Sequence, residues 1–100
     1  MVDYDVAIIG GGAVGCATAL HLAERKYRVV LLESEPKVGH FTGQSSGNIY
    51  SGVSHPQGSV SSSICREGAP LLHAFCHAHD VLHAHRGKVI YATSPAQVEW

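Results

Sequence analysis

Several classes of protein are excluded by what the 100-residue sequence lacks. Cysteine is scarce and odd in number (Cys16, Cys65 and Cys76). With no CxxC pair among them, reduced thiols are expected rather than a disulfide framework. Neither sign of charge prevails: 7 Lys and Arg stand against 8 Asp and Glu, a formal net charge of -1. That balance gives no electrostatic reason to expect nucleic acid as a partner. Long apolar runs are also missing. The longest, such as Val6–Ile9 and Val29–Leu32, fall far short of the about 20 residues that cross a bilayer. No basic segment precedes an apolar one at the N-terminus, so a cytoplasmic setting is expected, or a mitochondrial one in a eukaryote. A chain of this length makes at most one domain with a modest core.

What is present is ordered. Val6, Ala7, Ile8 and Ile9 form an apolar run of strand length, bounded by Asp5 and Gly10, which fits a strand covered on both faces. Ala13, Cys16, Ala17, Leu20 and Ala23 then recur at helical spacing, small enough to let a helix lie close on a sheet. Val29–Leu32 reads as a second buried strand. Strand, glycine turn, helix and strand in this order make a βαβ unit with parallel strands, the start of a doubly wound α/β sheet of the Rossmann-like kind. Lys26 stands where a helix C-cap glycine is expected, at a cost of up to about 1 kcal/mol.

The run Gly10, Gly11, Gly12 leads out of the first strand, and Gly10, Gly12 and Gly15 satisfy GxGxxG. In a dinucleotide fold the first glycine permits the tight turn, the second lets a pyrophosphate approach the backbone, and the third lets helix and strand pack closely. The helix opens at Ala13 and Val14, where free N–H groups and a partial positive charge favour an anion. Glu33 ends the second strand with Ser34 beside it, placed to accept hydrogen bonds from ribose hydroxyls. Its charge argues against NADP, whose 2′-phosphate it repels. Spacing alone does not separate FAD from NAD.

From residue 36 to 63 glycine, serine and histidine dominate without a period, which reads as a long loop; loops beyond about 12–15 residues are uncommon unless they bind something. A helix is expected over about residues 59–79 with Ile64, Gly68, Leu71, Leu72 and Phe75 on one face, kinked or interrupted at Pro70. Residues 88–93 read as a further strand. The 8 histidines raise a metal hypothesis, since His73 and His77 are spaced to share one ion. No HExxH or paired CxxC frame supports it, and no metal is expected.

The second half carries a resemblance. TGQSSGNIYSGVSHPQGSVSSSIC (residues 42–65) and LLHAFCHAHDVLHAHRGKVIYAT (residues 71–93) resemble the FAD-dependent L-2-hydroxyglutarate dehydrogenase/oxidase family, within the wider group of D-amino-acid oxidase-like and glycerol-3-phosphate dehydrogenase-like flavoproteins. The family pattern is close to TGxxSGVIHAGxYYxPGSLKAxLC, then AFC, then GKLIVAT. Thr42, Gly43, Ser46, Gly47, Ile49, Gly52, Gly58, Ser59 and Cys65 match the first part. Ala74, Phe75, Cys76, Gly87, Lys88, Ile90, Ala92 and Thr93 match the rest. Tyr50 stands in place of a histidine, Ser54 and His55 in place of two tyrosines, and Ser61 in place of a lysine.

The resemblance implies FAD as cofactor, with Thr42, Ser45, Ser46 and Gly47 in a loop that passes along the pyrophosphate towards the isoalloxazine ring. It implies oxidation of a small 2-hydroxy acid, L-2-hydroxyglutarate first, with electrons leaving to a quinone or oxygen and a peripheral membrane association of the complete protein. Tyr50 and His55 are the catalytic candidates. A tyrosine is no base near neutral pH unless its pKa falls well below about 10, and His55 is the nearby imidazole of that loop. A complete family member is several times longer and carries a substrate domain, so residues 1–100 read as the N-terminal part of an FAD-binding domain, inactive alone, with the apolar face of the second helix uncovered. Oxidation of glycerol 3-phosphate or an amino acid, or a non-catalytic nucleotide-binding fragment, are the alternatives.

Overall fold

The computed structural model describes residue 1 and residues 3–98. The chain divides into two compact units, Met1–Asn48 and Ile49–Trp100. The first is the expected βαβ unit: strand β1 (Val6–Ile9), helix α1 (Ala13–Glu24) and strand β2 (Val29–Leu32). β1 and β2 pair in parallel, Val6 opposite Val29 through Ile9 opposite Leu32. Beyond the strands, the Gly10 N–H donates to the Leu32 carbonyl at 2.8 Å, which carries the pairing into the glycine turn.

Two expectations about this unit are corrected. The strands are not covered on both faces: β1 alternates half-buried and exposed residues, and Ile9 is 88% exposed. Among the described residues the sheet stops at two strands, against which α1 packs. The face that α1 turns inward is also rotated by one residue from the expected stripe. Gly12, Gly15, Cys16, Ala19 and Leu22 are half-buried, whereas Ala13, Ala17, Leu20 and Ala23 are exposed. Gly15 sets this rotation, because a Cβ there would collide with the Gly10 carbonyl oxygen. The position without a side chain has to face the strand end.

α1 ends in a Schellman arrangement: the Lys26 N–H donates to the Ala23 carbonyl at 2.9 Å and the Tyr27 N–H to the Leu22 carbonyl at 3.1 Å. Lys26 occupies the left-handed position at φ 69°, as its place in the sequence anticipated. Lys26→Gly is therefore expected to stabilise the protein by about 0.5–1 kcal/mol, read as a rise in the urea midpoint at constant slope. An unchanged or lower midpoint would show that the lysine side chain contributes something glycine lacks.

Asp5 and Arg28 fasten the entrance of the sheet. Asp5 Oδ1 accepts from Arg28 Nη2 at 2.7 Å, and Oδ2 accepts from Arg28 Nε at 3.2 Å and from the Arg28 backbone N–H at 2.7 Å. The side-chain hydrogen bond to Arg28, then the backbone one, lowers the Asp5 pKa from 3.8 to about 2. A carboxyl whose pKa is lower folded than unfolded stabilises the fold above its unfolded value and loses that contribution as pH falls towards its folded value. Asp5→Asn is thus expected to lower Tm at pH 7 and to converge with the unsubstituted protein as pH drops from about 4 to about 2. Two Tm–pH curves running parallel over that window would remove Asp5 from the acid limb.

In the second unit, helix α2 (Val60–Ala78) is capped by Ser59, whose Oγ accepts from the Ser62 N–H at 3.2 Å. Of the kink or interruption expected at Pro70, the interruption does not occur: α2 runs through it. Pro70 is exposed, so the carbonyl it deprives of a donor can be hydrated. α2 buries Ser62 and Cys76 and half-buries Cys65, Ala69 and His73, while Ile64, Leu71, Leu72 and Phe75 are exposed. The apolar face read from the sequence is thus the uncovered one. The expected strand at residues 88–93 is absent, and Val89, Ile90 and Tyr91 are exposed. An apolar extended run becomes a strand only when a neighbouring strand takes its N–H and C=O groups; among the described residues only the Thr93 N–H is taken, by the Gln97 side chain at 2.8 Å.

Candidate functional site

The site is built on the turn between β1 and α1. Gly10 leaves the strand at φ 105°, a conformation that favours glycine. Gly11 is buried, and its N–H donates to Glu33 Oε2 at 2.7 Å. A Cβ at Gly11 would lie 2.9 Å from that oxygen and 3.2 Å from Leu31 Cδ2. The Gly11 carbonyl accepts from the Gly39 N–H at 2.8 Å and from Cys16 Sγ at 3.4 Å. Gly12 is the N-cap residue of α1 and supplies no side chain. Thr42, in a short 3-10 turn over Thr42–Gln44, brings the missing acceptor: its Oγ1 takes the Ala13 N–H at 2.9 Å. A Cβ at Gly12 would stand 3.2 Å from the same oxygen.

Glu33 joins the turn to the end of β2. Besides Gly11, its carboxylate takes the Glu35 N–H at 3.0 Å and the Ser34 hydroxyl at 3.4 Å, both on Oε1. The backbone donors of Glu35 and then Gly11 hold its pKa below the usual glutamate value, so it is an anion at neutral pH. A carboxylate offers about four acceptor directions, which leaves capacity on Oε2 for a hydroxyl donor. The N–H groups of Gly12, Val14 and Gly15 have no acceptor among the described residues. Anion-seeking amides on one side and a hydroxyl-seeking carboxylate on the other match a dinucleotide's pyrophosphate and ribose. On this donor set an FAD cofactor fits.

Gly10, Gly12, Ala13, Val14, Gly15, Glu33, Ser34 and Thr42, each singled out in the sequence, therefore meet around one turn. Ser45 and Ser46 close turns of their own: Ser45 Oγ accepts from the Gly47 N–H at 3.4 Å and Ser46 Oγ from the Asn48 N–H at 3.5 Å. Gly11 and Gly39 were not foreseen as site residues. Gly11 is the unspecified position inside GxGxxG, and the unbroken run of glycines was its signal.

Tyr50 and His55 belong to the second unit. His55 is half-buried, donates its backbone N–H to the Gly52 carbonyl at 3.1 Å and lines a concavity of about 770 Å³. Tyr50 is exposed and does not line it. His73 stacks on His85 with ring centroids 4.6 Å apart, and His83 tilts against His73 at 5.5 Å. Among the described residues no group of three or more His, Cys, Asp or Glu is arranged to hold a metal ion, and no helix is long and apolar enough to cross a membrane.

Comparison with known proteins matches residues 5–100 to the family described as FAD dependent oxidoreductase. The chain is 42% identical to the L-2-hydroxyglutarate dehydrogenase of Indibacter alkaliphilus over 97% of its length and 25% of the relative's. It is 37% identical to the Escherichia coli K12 protein of that name over 96% and 24%. It is 35% identical to the mitochondrial one of Dictyostelium discoideum over 96% and 22%. The chain thus spans about a quarter of the length of the curated relatives it matches. No solved structure matches it.

Proposed function

Because the chain belongs to the family of FAD-dependent oxidoreductases, we propose that it is the nucleotide-binding part of an enzyme that oxidises L-2-hydroxyglutarate to 2-oxoglutarate. The observation that carries this is the Gly11–Glu33 hydrogen bond, which ties a phosphate-seeking glycine turn to a ribose-seeking carboxylate. The names of the relatives support the substrate.

In this reading the N–H groups of Gly12, Val14 and Gly15 hold the pyrophosphate, and Gly10 and Ala13 keep the turn and the helix start in place. Glu33 accepts from the ribose hydroxyls, with Ser34 steadying its carboxylate. Thr42, Ser45, Ser46 and Gly47 supply polar contacts along the cofactor. FAD, when bound, supplies the acceptor for the hydride leaving C2 of the hydroxy acid. His55 takes the proton from the substrate hydroxyl, and Tyr50 donates a hydrogen bond without acting as base. A quinone or oxygen reoxidises the enzyme, which works in the cytoplasm or the mitochondrion and associates peripherally with a membrane where a quinone serves. Residues 1–100 alone are expected to give no turnover.

The test is made on the full-length protein that carries this chain. Purified protein should be yellow, release FAD on denaturation and form 2-oxoglutarate from L-2-hydroxyglutarate with an artificial acceptor. Preference for glycerol 3-phosphate or an amino acid would move it elsewhere in the family. A colourless protein that binds no flavin would overturn the enzymatic reading.

A further inference from the structure

Within the second unit, Gly52 is buried at φ 89°, and a Cβ there would lie 2.6 Å from the Ser62 carbonyl oxygen. The loop ahead of α2 therefore rests directly on its first turns. That approach walls the concavity of about 770 Å³, whose lining includes Arg66, His55 and Gln57 together with the apolar Val53 and Pro56. No aspartate or glutamate lines it. Among the described residues the Arg66 guanidinium is in no ion pair, and the side chains of Arg66, His55 and Gln57 make no hydrogen bond. Glu67, the neighbouring acid, is engaged by the Ser63 hydroxyl at 3.0 Å.

A guanidinium without a counter-ion, set in a concave wall beside further donors, is a receptor for an oxyanion. It offers five N–H groups in a planar fork that matches a carboxylate bidentately, and it stands exposed on an open concavity where an incoming anion can reach it. Val53 and Pro56 add apolar surface suited to a short methylene stem. We propose that this concavity binds the second carboxylate of a small dicarboxylic 2-hydroxy acid, with Arg66 as the residue that selects it. The inference rests on the activity proposed above and names the part of the substrate that is recognised. Carboxylate and phosphate share oxyanion chemistry, so the experiment has to separate a substrate role for Arg66 from a cofactor one.

Glutarate, a dicarboxylate with no hydroxyl to oxidise, is titrated calorimetrically into the full-length flavoprotein and its Arg66→Gln and Arg66→Lys variants. Arg66→Gln is expected to weaken glutarate about tenfold or more, with lysine recovering part of the loss because it keeps the charge but not the fork. Flavin occupancy is expected to be unchanged. The kcat/KM preference for L-2-hydroxyglutarate over L-2-hydroxybutyrate, which has one carboxylate, should fall by a similar factor. Gln57→Ala, at another point of the wall, gives a second reading if Arg66→Gln fails to fold, with glutarate expected about threefold weaker. Glutarate affinity within twofold of the parent in the folded variants overturns the proposal. So does loss of flavin on Arg66→Gln, which assigns the arginine to a cofactor phosphate. If glutarate binding depends on Arg66 while L-2-hydroxyglutarate is not turned over, the site stands and the proposed activity fails.

Discussion

Gly15→Ala is expected to destabilise the full-length protein by about 3 kcal/mol or more and to yield it largely without flavin. Two effects oppose each other. Alanine is the better helix former by about 1 kcal/mol at an interior position, and Gly15 lies inside α1. Against that, the added Cβ meets the carbonyl oxygen of Gly10, with Ile8 Cγ2 3.5 Å away. Gly10 is anchored by its own N–H on the Leu32 carbonyl at 2.8 Å, and its backbone carbonyl cannot swing aside as a flexible side chain would, so the steric cost wins. The whole helix has to lift from the sheet, taking with it the amides at its start. Urea denaturation and flavin absorbance read the two consequences separately. A variant as stable as the parent with full flavin content would show that the turn has room the geometry denies.

Glu33→Ala is expected to release the flavin on dialysis, with affinity for FAD lowered about tenfold or more, since hydrogen bonds to a charged acceptor are among the stronger ones. Alanine removes the acceptor of the Gly11 N–H as well as the one proposed for the ribose. Glu33→Gln keeps one carbonyl oxygen and should fall between the two. The lowered pKa of Glu33 adds a sign: the contribution persists to more acid pH than an ordinary glutamate allows, then disappears as pH falls through the folded value. Unaltered flavin retention by Glu33→Ala would make the carboxylate a brace for the turn and nothing more.

The βαβ unit was legible because its signals agree: apolar runs of strand length, glycines at turn spacing, and an acid at the end of the second run. The rotation of α1 was not. Ala13, Val14, Cys16, Ala17, Ala19, Leu20, Leu22 and Ala23 put small or apolar side chains on nearly every face, so periodicity could not choose among them. The choice rests on contact between Gly15 and Gly10, which are far closer in space than a helical pattern records. The Thr42 hydroxyl on the Ala13 N–H was illegible for a similar reason: it depends on a loop returning to the helix start, and neither residue marks that return. Residues 88–93 were misread because β-propensity describes a side chain's fit to a sheet, while a strand exists only in a pair. Cys76 and Ser62, the buried residues of α2, lie off its apolar stripe, so a hydrophobic pattern pointed to the opposite face.

The parallel pairing of β1 with β2 bears on how the chain is made. Once Leu32 has emerged from the ribosome, every residue of the first pairing is available, and no later segment is needed to close it. A sheet of only two short strands is marginal by itself, and this one presents Ile9 and Leu32 to solvent. The nascent chain therefore carries an early, weakly held two-stranded template with apolar side chains open to solvent. Slowing translation just after this point should lengthen the dependence on chaperones that bind apolar segments, because the exposed Ile9 and Leu32 stay accessible for longer.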